Sequence, residues 1–289
     1  DEWKWTEKFA PQAETLSYLN FVADKFKLRE HMQFDCRVNS MVFDDDTNTW
    51  TIRLEDGREV TTRFVITALG TLSTPSLPKF EGMDSFEGAS FHAANWPHEP
   101  LDLKGKRVAV IGAGATAIQL IPEVAKEAEQ LTAFQRRPNW AAPLHNSPIS
   151  ESEMAAIRES YDEIFDICAR SPGGFAHLPD SRSFYDVSPE ERRALWDRLY
   201  DEPGFGIWLQ NFMEIFVDEK ANAEISDYIA ERIRQRVTDP VIAEQLIPKD
   251  HGFGVQRLPL ETGYFEAFNR PNVKLVNATE TPIVRVTET

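Results

Sequence analysis

The chain has 289 residues, enough for about two domains, and 42% of them are hydrophobic, enough for a substantial core. Its formal charge of -16 argues against nucleic acid and anionic membranes as partners. Its two cysteines, Cys36 and Cys168, show neither metal-ligand spacing nor a disulfide framework, which suits a reducing cytoplasm; no metal site, signal peptide or membrane span is evident. The sequence opens on Asp1 rather than Met, and Ile283 to Thr289 resembles a strand cut short, so both ends suggest a fragment.

Residues 1–12 are aromatic, charged and irregular. A helix is expected from Ala13 to about Leu28, because Leu16, Leu19, Val22, Ala23 and Phe26 recur at helical spacing. Phe34 to Phe43 reads as a strand with Cys36 as a buried thiol. A turn at 44–48, a return strand from Trp50 to Leu54 and a second turn at Asp56-Gly57 complete a meander. Phe64 to Ala68 reads as a buried apolar strand. The Gly/Pro/Ser-rich run from Leu69 to Glu81 reads as a linker. Next comes the aromatic stretch Phe86 to Pro97 with His92 inside it. Taken alone, it is a packed linker with a hydrogen-bonded histidine.

The most informative stretch is Arg107 to Arg137. An apolar strand, Val108 to Ile111, runs into Gly112-Ala113-Gly114-Ala115-Thr116-Ala117, the pattern G-x-G-x-x-A at the mouth of a helix. The first glycine permits the tight turn, the second lets backbone approach a pyrophosphate, and Ala117 lets helix and strand pack closely. The free N–H groups and positive end of that helix face the phosphates. Gly112, Gly114, Thr116, Ala117 and Gln119 are therefore the candidate nucleotide-binding residues. A second strand, Leu131 to Phe134, ends at Gln135-Arg136-Arg137. An NAD-preferring protein usually places Asp or Glu there, about 20 residues past the glycines. Guanidinium instead suits a 2′-phosphate, so Arg136 and Arg137 point to NADP.

Residues 150–247 are almost wholly helical in pattern. Ser188-Pro189-Glu190-Glu191 is a capping box with Pro at the first helical position. Leu209 to Val217 is apolar and aromatic, and Ala221 to Val237 is an amphipathic helix whose Arg232, Arg234 and Arg236 read as a solvated face. Gly252-Phe253-Gly254-Val255-Gln256-Arg257 is a glycine-flanked loop ending in arginine. Phe265 to Asn269 and Val273 to Val276 read as a helix end and a strand returning to the sheet. The expected class is α/β: a Rossmann-like NADP-binding domain (105–145 and 246–289) with a helical insertion (146–245), a linker (81–104), and a β-rich N-terminal part (1–80).

With these segments in view, the chain resembles the Baeyer–Villiger monooxygenases, flavin- and NADPH-dependent enzymes of the class B flavin monooxygenases, and especially their phenylacetone- and cyclohexanone-type members. Their fingerprint, F-x-G-x-x-x-H-x-x-x-W followed by P or D, is matched by Phe86, Gly88, His92, Trp96 and Pro97. Related N- and S-oxidising enzymes carry Tyr or Phe where this chain has Trp96. The opening W-x-W-T-E-K-F-A-x-Q, the run FVADKF, the ALGTLSTPSLP crossing, FQRRPNW and VTDP…LIPK are similar too. The resemblance implies that NADPH reduces FAD, that the reduced flavin takes up O2, and that the peroxyflavin attacks a small-molecule ketone to give an ester or lactone. It implies Arg257 as the catalytic group stabilising negative oxygen, His92 as a linker residue coupling nucleotide binding to domain movement, and Arg136, with Arg137, at the 2′-phosphate. Gln256 stands where the family often has Lys beside the nucleotide. The family's earlier G-x-G-x-x-G for FAD, and the Asp that follows it, have no counterpart in residues 1–100. The resemblance therefore implies a cytoplasmic, monomeric monooxygenase with no nucleic-acid or membrane partner, here without the N-terminal FAD motif and the C-terminal flavin-domain segment, so that the β-rich residues 1–80 are a partial FAD domain. The alternatives are an N- or S-oxidising relative and a non-catalytic NADP-binding remnant.

Overall fold

The computed structural model describes residues 2–70 and 72–289, so Asp1 of the irregular opening and Thr71 of the expected linker lie outside the described residues. The chain is mixed α/β and falls into two compact units, one within 1–5 and 10–77, the other within 6–9 and 78–289.

The first unit holds one helix and one antiparallel sheet. Helix α1 (Gln12–Lys25) is pinned by rings: Trp3 lies 5.6 Å from Tyr18 and 5.5 Å from Phe21, and Trp5 lies 5.0 Å from Tyr18. Aromatic pairs at such distances contribute beyond their buried area. The apolar face of the helix is not buried: Leu16, Leu19 and Phe26 are all exposed. Strands β1 (Val38–Asp44), β2 (Thr49–Leu54) and β3 (Glu59–Thr62) form a meander in which Asp44 pairs Thr49 and Trp50 pairs Thr62. Its first turn is locked by the Asp44 carboxylate, which accepts from the N–H groups of Asp46 and Thr47.

Three expectations fail in this unit. The first strand starts at Val38 rather than Phe34, since Asp35 adopts a left-handed conformation (φ 54°) that interrupts extended backbone. Cys36 therefore lies outside the strand, and it is half-buried beside the Arg58 guanidinium (3.1 Å) rather than a core thiol. Phe64 to Ala68 forms no strand, because no described strand pairs with it; Phe64 and Ile66 are 77% and 92% exposed.

The second unit is organised on a parallel sheet of order β4-β5-β8, made of β4 (Arg107–Ile111), β5 (Gln130–Gln135) and β8 (Val273–Asn277). Ile111 pairs Phe134, and Gln135 pairs Asn277, so the three strands end along one edge. Helix α2 (Ala115–Glu127) crosses between β4 and β5 and buries Ala117, Ile118, Ile121, Val124 and Ala125. The C-terminal run 283–289 is not a strand. It makes a single bridge, Glu81 to Arg285, supported by the Val286 N–H bonding the Glu81 carbonyl.

The helical layer comprises α3 (Glu151–Glu159), α4 (Tyr161–Arg170), α5 (Pro189–Asp201), α6 (Gly206–Leu209), α7 (Glu219–Arg236) and α8 (Pro240–Leu246). The strand pair β6 (Ala142–Pro143) and β7 (Leu260–Glu261) brackets it in sequence, and α9 (Tyr264–Ala267) follows. The helix starts are explicit in the sequence. Ser150 with Glu153 and Ser188 with Glu191 form complete capping boxes, while Asp218 and Asp239 cap α7 and α8. Phe184, Phe212, Ile229, Phe253 and Phe265 share one core cluster with Val110, Ile118 and Leu131 of the sheet layer.

Two of the three arginines of α7 are not a solvated face, whereas Arg234 is exposed and pairs with Glu244. Arg232 stacks on Tyr200 (4.4 Å) and pairs with Asp201. Arg236 lies over Phe265 (5.0 Å), pairs with Glu266, and donates to the fully buried Glu261 carboxylate at 2.7 Å. Burial works against the Arg236 charge, yet its hydrogen bonds to Glu266 and Glu261 outweigh that and raise its pKa. The helical period places these side chains three and four residues from apolar positions, but only the fold reveals which carboxylates meet them. Arg236→Met strands a buried carboxylate. The expected cost is about 3–5 kcal/mol in urea unfolding; a loss under about 1 kcal/mol would show that Glu261 is held by other means.

Candidate nucleotide site

The glycine turn sits at the end of β4. Gly112 has φ 131°, a conformation that L side chains rarely adopt, and its N–H donates to the Phe134 carbonyl at 2.8 Å, tying the turn to β5. A Cβ built on Gly112 or Gly114 would meet nothing within 4 Å, so the space before the turn is open. Gly114 is the N-cap of α2, with no side-chain cap and no acidic residue in the first turn. The first N–H groups of the helix are thus free donors at its positive end. Ala117 is buried, as its packing role requires, and Thr116 is exposed. Gln119 folds its amide back onto the Ala115 carbonyl (3.0 Å).

At the end of β5 the neighbouring side chains diverge. Gln135 is buried, donating to the Gln245 carbonyl at 2.7 Å. Arg136 is exposed; its carbonyl accepts from Thr279 Oγ1 (2.7 Å), and its guanidinium makes no bond to a described residue. Arg137 is not free in this way: its Nη1 donates to Asp250 Oδ2 at 2.9 Å. Asp250 Oδ1 lies 2.8 Å from His251 Nδ1, and the His251 bond, with the Arg137 bond, holds the Asp250 carboxyl below the usual range. The buried Trp140 indole donates to the His251 carbonyl (3.0 Å).

The loop to Arg257 is clamped from the helical layer. Asn222 Nδ2 donates to the carbonyls of Ile215 (2.6 Å) and Phe253 (2.9 Å), Ser226 Oγ accepts from the Phe253 N–H, and Trp208 Nε1 donates to the Gly254 carbonyl. Gly252 is required because a Cβ there would lie 1.7 Å from Asn222 Oδ1. Gly254 is required by its φ of 75° and by Trp208 at 2.9 Å. Beyond this anchor Val255, Gln256 and Arg257 are exposed, and Arg257 has neither an ion pair nor a side-chain hydrogen bond to a described residue. Asn222, Ser226 and Trp208 had no signal in the sequence, since a polar residue inside a helix does not disclose which carbonyl it meets.

In the fingerprint, the Phe86 ring folds over Gly88, where a Cβ would sit 2.5 Å from Cζ. His92 Nδ1 accepts from the Ala94 N–H (3.1 Å), capping a short 3-10 turn at Ala93–Asn95. Trp96 meets Phe91 edge-on at 5.0 Å and is 40% exposed, and Pro97 follows it half-buried. A cavity of about 610 Å³ lined by Trp140, Asn222, Arg234, Lys249 and His251 includes neither the glycine turn nor Arg257 and is not the nucleotide site.

A parallel sheet, an uncapped helix behind a glycine turn, and an unpaired arginine at the next strand end define a dinucleotide-binding α/β protein. Residues 5–146 match the flavin-binding monooxygenase-like family. It is 44% identical to the 2-oxo-Delta(3)-4,5,5-trimethylcyclopentenylacetyl-CoA monooxygenase of Pseudomonas putida, over 99% of this chain and 54% of the relative. It is 38% identical to the acetone monooxygenase (methyl acetate-forming) of Gordonia sp. (strain TY-5), again over 99% of this chain and 54% of the relative. Among solved structures, OTEMO in complex with FAD and NADP superimposes with a TM-score of 0.95 at 44% identity, over 99% of this chain and 54% of that one. The chain thus spans about half the length of the curated relatives it matches.

Gly114→Ala separates ligand from fold. Gly114 has φ -81° and free space at its Cβ, so stability should fall only slightly, by the roughly 1 kcal/mol difference between Gly and Ala at an N-cap, seen as a small drop in melting temperature. NADP+ affinity, by isothermal titration, should fall about tenfold or more, because a methyl group then fills the approach to the pyrophosphate. Unchanged affinity would remove the turn from the site.

Proposed function

We propose that the whole protein to which this chain corresponds is a Baeyer–Villiger monooxygenase. It uses NADPH, FAD and O2 to convert a small-molecule ketone to an ester or lactone. The observation that carries this is Arg257, an unpaired guanidinium on a loop pinned by three side chains, Asn222, Ser226 and Trp208, in the same unit as an open glycine turn with a free arginine beside it. The name of the Gordonia relative, a ketone oxidised to an ester, supports the reaction class, and the FAD and NADP of OTEMO support the cofactors.

The residues present fit NADP. The uncapped start of α2 would hold the pyrophosphate and Arg136 the 2′-phosphate, with Thr116 exposed on the first turn. Gln119, turned onto its own helix, and Gln256, exposed next to Arg257, complete the assigned set. The residues do not fit the ADP half of FAD: residues 1–100 offer no second glycine cradle at the mouth of a helix, so no residue of this chain is assigned to it. FAD, when bound, supplies the oxygen activation. Arg257 supplies a fixed positive charge where the ketone oxygen becomes anionic. Guanidinium stays protonated at any working pH, and a donor fixed in advance needs no reorganisation during the reaction. Phe86, Gly88, His92, Trp96 and Pro97 form the linker that couples nucleotide binding to domain movement. Residues 105–145 and 246–289 are the nucleotide domain, 146–245 its helical insertion, and 1–80 part of the flavin domain. No helix among the described residues is long and apolar enough to cross a membrane, and we place the protein in the cytoplasm as a monomer.

In the whole protein, Arg257→Ala should lower ester formation by roughly 10²–10³-fold while NADPH oxidation continues, as for loss of one preorganised donor. Retained ester production, measured by gas chromatography, would take Arg257 out of its role. The 289-residue chain itself should bind NADP+ and little FAD in equilibrium dialysis; stoichiometric flavin would contradict the assignment of residues 1–80.

A further inference from the structure

Strand β5 ends without the carboxylate that marks NAD-preferring proteins, yet the structure brings one there from far along the chain. Asp250, 113 residues beyond Arg137, reaches the residue next to Arg136. It is held independently of Arg137: His251 Nδ1 lies 2.8 Å from its other oxygen, the His251 side chain is only 10% exposed, and the His251 carbonyl is fixed by buried Trp140. The adjacent cations are committed elsewhere, since Lys249 and Arg234 both pair with Glu244 at 2.7 and 2.6 Å. Arg137 is thus the permanently charged partner of Asp250, and it pairs through one nitrogen.

We propose that Asp250 is a cofactor-specificity residue held in check by Arg137, and that Arg137 favours NADP chiefly by masking that carboxylate rather than by gripping the 2′-phosphate. This rests on the assignment of Arg136 to the 2′-phosphate. A bare carboxylate at the ribose end of the site repels a 2′-phosphate and accepts hydrogen bonds from free ribose hydroxyls, which is the NAD-selecting arrangement. With Arg137 in place the pair carries no net charge, and the positive charge of Arg136 acts unopposed. Gln256 adds no charge, so the balance between Arg136 and Asp250 decides the preference.

The test is a double-mutant cycle on the 289-residue chain, titrated with NADP+ and NAD+ at fixed ionic strength. Both side chains are largely exposed, and matched melting curves confirm that each variant is folded. Arg137→Ala should weaken NADP+ about tenfold while NAD+ binding holds or tightens. Asp250→Asn alone should leave NADP+ binding equal or tighter. In the Asp250→Asn background, Arg137→Ala should cost less than about threefold. An equal loss from Arg137→Ala in both backgrounds means direct phosphate contact and overturns this proposal alone. No NADP+ binding by the unaltered chain, or no loss with Arg136→Ala, overturns the nucleotide-site assignment and this proposal together.

Discussion

A buried charge pair governs how the second unit is assembled. Arg236, at the end of α7, meets Glu261 in β7, and the same carboxylate accepts the Tyr264 N–H that starts α9. Through β7 the contact fixes the pairing with β6, and through α9 it fixes the layer that packs on α2. One guanidinium therefore connects the helical layer to the helix whose first turn faces the open glycine cradle. Such a pair is costly to bury and costly to break. Its value here is geometric, because it allows one register between layers and penalises others with an unpaired charge.

The site follows a division of labour. Groups that hold backbone are turned inward: Gln135, Trp140, Asn222 and Ser226 direct polar atoms at backbone carbonyls or N–H groups of neighbouring segments. Groups left for chemistry are exposed and unsaturated: the first turn of α2, Arg136 and Arg257. Preorganisation arises from this contrast. The backbone near Arg257 cannot relax toward water, so its charge is delivered at a position set by the scaffold.

Much of this was legible in the sequence because it depends on local rules. The capping boxes at Ser150 and Ser188, the Gly112 turn and the alternation of β4, α2 and β5 each follow from neighbours within a few residues. What escaped depends on distant partners. Arg236 reads as surface until Glu261, 25 residues on, is seen beneath it. Asp250 shows no link to β5 until the fold closes. Phe64 to Ala68 has the composition of a core strand, but composition cannot supply a neighbouring strand, and none pairs with it among the described residues. Cys36 failed for a smaller reason, a left-handed residue just before it.

The sharing of one core by sheet and helices has a practical meaning. Phe253, at the centre of the Arg257 loop, lies in the same apolar cluster as Val110 of β4 and Ile229 of α7. The helical layer is therefore no detachable accessory, and grafting it from a relative would exchange part of the wall against which the nucleotide sheet rests. Heat or denaturant should dismantle both layers in one cooperative step, with amide protons of α7 and β5 exchanging through the same global opening.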